Sequence, residues 1–166
     1  MKKLLLILLC VPLIGFGQDA KSFNKGYEYY TTEKYELSID YFTKYIIDNP
    51  NNSSLYIVRG ASYKSLDLYK LAIEDYEEAI EIDDNILGYN NRAWIYITLK
   101  NYELAMQDYK VVVSRIEEMR QLGMTNLGDI YCNLGICKMN LGLDYCEDFN
   151  IACILGYKPA CEIDCE

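Results

Sequence analysis

Apolar and small residues return three and four positions apart through most of this chain. Between Ser54 and Leu66 they fall at Tyr56, Gly60 and Tyr63, and between Tyr69 and Ile82 at Tyr69, Ala72, Tyr76 and Ala79. That spacing gathers them on one face of a helix. The Leu66-Asp67-Leu68 link is too short to allow anything but an antiparallel pair. The same pattern is written on either side at a period of about 34 residues. KGYEYYTTEKYELSIDYF runs from Lys25 to Phe42, RGASYKSLDLYKLAIEDY from Arg59 to Tyr76, and RAWIYITLKNYELAMQDY from Arg92 to Tyr109. Such a period predicts an all-α fold, a right-handed α-solenoid of antiparallel helix hairpins.

Small residues mark where the rods press together. Gly60 is expected at the crossing of the two helices, with Ala72 and Ala79 serving the second helix. Gly26, Ala93 and Gly135 recur at the corresponding first-helix position, and Ala105 and Ala152 at the second-helix one. The second helix of the third unit reads as continuous from Tyr102 to Gln121, ended by Gly123. A divergent fourth unit restarts at Leu134-Gly135, turns at Gly142 and closes with Asp148, Phe149 and Ala152. A short capping helix is expected from about Pro159, since proline suits a first helical turn. The expected organisation is three units over residues 18–121, then the divergent unit and its cap over 122–166.

These residues resemble the tetratricopeptide repeat, a family of helix-turn-helix solenoids. The second unit carries that family's positions at Tyr56, Gly60, Tyr63, Tyr69, Ala72, Tyr76 and Ala79. The third carries them at Tyr89, Ala93, Tyr96, Tyr102, Ala105 and Tyr109, with Val112 in place of the usual alanine. The first keeps Gly26, Tyr29, Tyr35, Phe42 and Pro50 but departs at Ser38 and Tyr45. The end of the chain, from LGICKMNLG to DFNIACILGYKPAC, resembles cysteine-rich secreted relatives of this repeat. That resemblance implies a bridge between Cys153 and Cys161, which straddle the turn at Gly156, where a tight turn brings Cα atoms into bonding range. Cys137 and Cys146, either side of Gly142, form the next pair. A competing scheme joins Cys146 to Cys165 and leaves Cys132 with Cys137.

The termini and the charge narrow the setting. Lys2 and Lys3 precede an apolar run, Leu4 to Ile14, and small residues follow at Gly15 and Gly17. Residues 1–17 are thus expected to be a signal peptide cut before Gln18, which implies export to a periplasmic or extracellular space. Leu9 stands where lipid attachment at Cys10 would want a small residue. The chain has a formal net charge of −9, and losing the leader removes two lysines and no acid. An acidic surface repels phosphate backbones, which argues against nucleic-acid binding. The chain has no histidine and its cysteines form no Cys-x-x-Cys pair, so neither a zinc site nor a histidine-based catalytic triad is expected. No phosphate-binding glycine loop is present, and we expect neither cofactor nor catalysis.

Within the family the first helices line a concave face that grips a peptide or a partner's helix. Carried onto this chain, the groove positions are Asn24, Tyr27 and Tyr30, then Lys64, Asn91 and Trp94, and Asn133. Amide side chains both donate and accept, so the asparagines suit a peptide main chain, and aromatic residues carry much of the energy of such contacts. The basic carboxylate clamp of some family members is missing, because the corresponding positions hold Phe23, Tyr27, Val58, Leu87 and Asn91. Arg59 and Arg92 each precede an aspartate, Asp75 and Asp108, by sixteen residues, a spacing that predicts ion pairs within one hairpin. The expected function is a non-catalytic scaffold or adaptor for a protein or peptide partner. The alternatives are a structural subunit of an envelope assembly, burying the convex or lateral surface, and a thiol-disulfide enzyme.

Overall fold

The computed structural model describes residues 15–164, with side chains from Phe23 onward. Most of the expected signal segment and Cys165 lie outside the described residues, while Gly15 to Gly17 open the first helix. The chain folds into successive helices: α1 Gly15–Thr31, α2 Tyr35–Asp48, α3 Ser53–Ser65, α4 Tyr69–Asp83, α5 Ile86–Thr98 and α6 Tyr102–Ser114. After these come α7 Ile116–Gln121, α8 Leu127–Asn140, α9 Cys146–Ile154 and a final 3-10 turn, Lys158–Glu162, with proline in its first turn. Each second helix packs on its own first helix and on the first helix of the next pair. The first helices α1, α3, α5 and α8 touch in series. The result is an all-α solenoid of paired antiparallel helices with a short cap.

The crossings explain the recurrence of small residues. A Cβ added at Gly26 would come within 2.7 Å of the Phe42 ring, and one at Gly60 within 2.8 Å of the Tyr76 ring. At Gly135 the Phe149 ring would be 3.1 Å away. Ala93 is fully buried in a cluster with Tyr109 at the same place in the third pair. Ser38 stands where Ala72 and Ala105 stand later. It is buried, yet its hydroxyl donates to Gly26 O at 3.2 Å and accepts from Ser62 Oγ at 3.0 Å, so no polar group is stranded.

The turns inside the hairpins also repeat, though their residue types do not. Glu33, Asp67, Lys100 and Gly142 all take positive φ, at 60°, 57°, 60° and 68°. In each turn the following amide reaches back to the helix: Lys34 N to Tyr29 O, Leu68 N to Tyr63 O, Asn101 N to Tyr96 O and Leu143 N to Lys138 O, at 2.8 to 3.0 Å. These bonds satisfy carbonyls that a helix end leaves open. Glycine, the residue suited to that conformation, occupies only the fourth turn. Several first and second helices begin on asparagine caps: Asn52 accepts from Ser54 N, Asn85 from Leu87 N and Asn101 from Leu104 N.

Two expectations are corrected. The helix from Tyr102 to Gln121 is not continuous: it breaks at Arg115, whose φ and ψ of −118° and 27° leave the helical region. Arg115 turns its guanidinium to Asp84 O and Oδ2, at 2.9 and 3.0 Å, and to the Glu118 carboxylate. The bend brings Met119 fully into the core beside Val112 and Leu127. The second correction concerns the cysteines. Cys153 and Cys161 are bridged, with Cα atoms 4.9 Å apart, but Cys137 is not joined to Cys146, nor to Cys132. Its thiol is free and wholly buried, facing the Tyr109–Leu134 core rather than the turn at Gly142.

Ion pairs fix the register of the hairpins. Arg59 donates to both oxygens of Asp75 at 2.9 and 2.6 Å, and Arg92 to both oxygens of Asp108 at 2.9 and 2.8 Å. In the fourth pair Asp148 holds the corresponding place before Phe149, and Lys138 reaches it at 2.5 Å. Leu134 stands where the arginine would be, so the cation is supplied one helical turn later.

Candidate functional site

The layer of first helices opens onto a cavity of about 420 Å³. Helix α3 contributes Lys64, and α5 contributes Asn90, Asn91 and Trp94. The Tyr109 hydroxyl enters from α6, and Asp129, Ile130 and Asn133 from α8. Met124 and Asn126 come from the α7–α8 connection, and Tyr157 from the segment that the disulfide closes. Four of the seven groove residues expected from sequence therefore meet in one place: Lys64, Asn91, Trp94 and Asn133.

The other three lie on α1 and do not line this cavity. Asn24 and Tyr27 are exposed. Tyr27 stacks with Phe23, ring centroids 6.4 Å apart, and meets Tyr30 at 6.0 Å. Tyr30 packs against the cluster of Phe42, Leu55 and Val58.

Inside the cavity the amides are partly engaged. Asn91 Nδ2 donates to Leu87 O at 3.0 Å, and its Oδ1 accepts from Lys64 Nζ at 3.1 Å. Asn133 Nδ2 donates to the Tyr109 hydroxyl at 3.1 Å. Asn126 donates to Asp129 at 3.1 Å. Asn90, Asn133 and Tyr109 all line the cavity. Burial raises the Tyr109 pKa well above the usual phenol range, so the phenol stays protonated. Lys64 Nζ lies 5.1 Å from the centroid of the Trp94 ring. Trp94 is 43 % exposed, which leaves much of its indole open to a ligand.

The C-terminal wall was not foreseen from the repeat pattern. Tyr157 sits between the two bridged cysteines, after Gly156 at φ 94°, and its amide donates to Ala152 O at 2.9 Å. Gly128 admits it: a Cβ there would come within 2.9 Å of Tyr157 Cβ. The one available signal was its position inside the Cys153–Cys161 loop. Asn126 belongs to a connection without repeat periodicity, and Asp129 to the first turn of α8 just after it; neither carried a signal.

The Cys132 and Cys137 thiols are not poised for chemistry. Burial pushes the Cys137 thiol up to about 12 and raises that of Cys132, opposite to the shift that makes a nucleophilic thiolate. Among the described residues no group of acidic and sulfur ligands is arranged to hold a metal, and no helix is long and apolar enough to cross a membrane.

Comparison with known proteins agrees with this architecture. Residues 53–86 and 88–118 match the tetratricopeptide repeat family model. Human serine/threonine-protein phosphatase 5 is 33% identical over 87 residues, 52% of this chain and 17% of the relative. Hsp70-Hsp90 organizing protein 2 of Arabidopsis thaliana is 30% identical over 87 residues, 52% of this chain and 15% of the relative. The chain thus spans about a sixth of the curated relatives it matches. Among solved structures, MamA superposes with a TM-score of 0.71 at 17% identity, covering 85% of this chain and 80% of that one. The first repeat domain of Spaghetti (RPAP3), solved bound to the HSP90 peptide SRMEEVD, gives 0.55 at 25% identity, covering 63% and 89%. Repeat spacing, hairpin crossings and the match over residues 53–86 and 88–118 coincide: these hairpins are similar to tetratricopeptide repeats, and the C-terminal end of the chain is closed by a Cys153–Cys161 disulfide.

Proposed function

We propose that this protein is an exported, non-catalytic adaptor that holds an extended segment of a partner protein on the layer formed by α1, α3, α5 and α8. The observation that carries this reading is the cavity in which side chains from three successive first helices, the α7–α8 connection and the cap converge. Its lining combines an open indole with amides and hydroxyls, the mixture that suits an extended main chain and an apolar side chain together. The RPAP3 domain, which shares this fold and holds a peptide, supports the same use of the surface. Export is supported by the Lys2-Lys3 start before Leu4 to Ile14 and by a disulfide of the kind that persists in oxidising compartments.

The test is Trp94→Ala. Crosslinking with mass spectrometry in the native host should recover the partner with the parent protein and lose it with the variant, at nearly unchanged melting temperature. Unfolding of the variant would instead make Trp94 a packing residue.

A second reading, a subunit of an envelope assembly, draws on a row of leucines on the second helices. Leu37, Leu71 and Leu104 repeat at the period of the hairpins and are 49%, 40% and 37% exposed. Purified protein that stays monomeric and soluble favours the adaptor; insolubility without a partner favours the subunit.

A further inference from the structure

Most charges withdrawn from water keep counter-charges among the described residues. Arg59 reaches Asp75, Arg92 reaches Asp108, Arg115 reaches Asp84 and Glu118, and Lys138 reaches Asp148. Lys64 is likewise withdrawn from solvent and reaches no carboxylate among the described residues. An ammonium carries three donors. One goes to Asn91 Oδ1, and the Trp94 ring faces the charge at 5.1 Å. Asn91 is itself tied to Leu87 O, so the lysine head is held in a fixed place on the cavity wall. Burial lowers the Lys64 pKa with nothing opposing it, as expected for a cation short of an anion.

We propose that Lys64 is an anion subsite of the groove, taking the side-chain carboxylate of an Asp or Glu in an extended peptide that lies across Trp94. The proposal rests on the peptide-binding reading above. A single carboxylate fits better than a phosphate: Asp129 lines the same cavity and the chain carries a net charge of −9, so a doubly charged group meets more repulsion. The bound carboxylate accepts from Lys64 Nζ, and the carbon atoms beside it rest on the open part of the indole. Specificity then comes from one charge-assisted bond inside a mostly neutral groove.

Trp94 is the sole tryptophan of the chain, so its fluorescence reports on this cavity directly. Random peptides displayed on phage are panned against the full chain and against Lys64→Met, which keeps the length and removes the charge. Acidic residues should be enriched at one peptide position with the parent protein and not with the variant. A synthetic copy of a selected peptide should quench Trp94, and its Glu→Gln version should bind the parent protein about tenfold more weakly. Lys64→Met should erase that difference and melt no lower than the parent.

Equal acidic enrichment with both proteins, selected peptides without acidic residues, or a clear fall in melting temperature for Lys64→Met overturns the subsite and leaves the groove reading standing. Failure of the parent protein to select any peptide overturns both.

Discussion

One substitution, made at equivalent places in consecutive hairpins, should have opposite effects. Tyr76 and Tyr109 both fill the space behind a small residue, Gly60 and Ala93, and both are essentially inaccessible to solvent. The Tyr109 hydroxyl accepts from Asn133 at 3.1 Å. The Tyr76 hydroxyl has no hydrogen-bond partner among the described residues. The residue that would match Asn133 one unit earlier is Asn91, and its amide goes to Leu87 O while its oxygen serves Lys64. A buried hydroxyl without a partner costs about 1–3 kcal/mol, so Tyr76→Phe should stabilise the fold by about 1–2 kcal/mol. Phenylalanine already fills this position as Phe42 and Phe149, so no repacking penalty is expected. Tyr109→Phe should lose about 1–2 kcal/mol, because it removes a bond and strands the Asn133 amide. At this chain length each kcal/mol moves the melting temperature by about 2–4 °C. Urea unfolding followed by far-ultraviolet circular dichroism measures both. Shifts of the same sign, or a loss of about 1 kcal/mol in Tyr76→Phe, would refute the assignment of the unpaired hydroxyl.

Reducing the Cys153–Cys161 bridge should cost about 2–3 kcal/mol locally, from the entropy of closing a nine-residue loop. Hydrogen exchange should quicken in α9 and the 3-10 turn while α3 to α6 hold; uniform quickening across all helices would contradict a local cap. Lys100→Gly should raise stability by about 0.5–1 kcal/mol, the difference between a left-handed strain of about 1–2 kcal/mol and the added freedom of glycine in the unfolded chain. A lower melting temperature for that variant would show that the Lys100 side chain contributes something its geometry does not reveal.

Periodicity carried the fold because every hairpin reuses one contact. A small residue on the first helix meets an aromatic ring on the second, and Gly26, Gly60, Ala93 and Gly135 announce that contact in the sequence itself. The Arg59–Asp75 and Arg92–Asp108 pairs were legible for the same reason, as charges at a repeated separation. What escaped was decided by single tertiary contacts. The break at Arg115 carries no glycine or proline, and its reason is a guanidinium drawn to Asp84, thirty-one residues away. The exchange of arginine for Lys138 as the partner of Asp148 moves a charge along the helix, which a fixed spacing does not register. Cys137 looked available for a bridge because it flanks a turn, yet its side of α8 faces the core. Part of the cavity was hidden similarly: Asn126 and Tyr157 come from connections outside the repeat and Asp129 from the first turn of α8, with Tyr157 placed by Gly128 and by the disulfide.

Whether a partner occupies the inner layer of helices or the outer one is answered by site-specific photocrosslinking in the native host. A photoreactive phenylalanine derivative replaces Trp94 on α5 in one variant and Leu71 on α4 in another, both exposed in the free protein. We expect a covalent adduct with a partner polypeptide from position 94 and none from position 71. An adduct from position 71 alone would contradict the groove and move the interface to the leucine-bearing side.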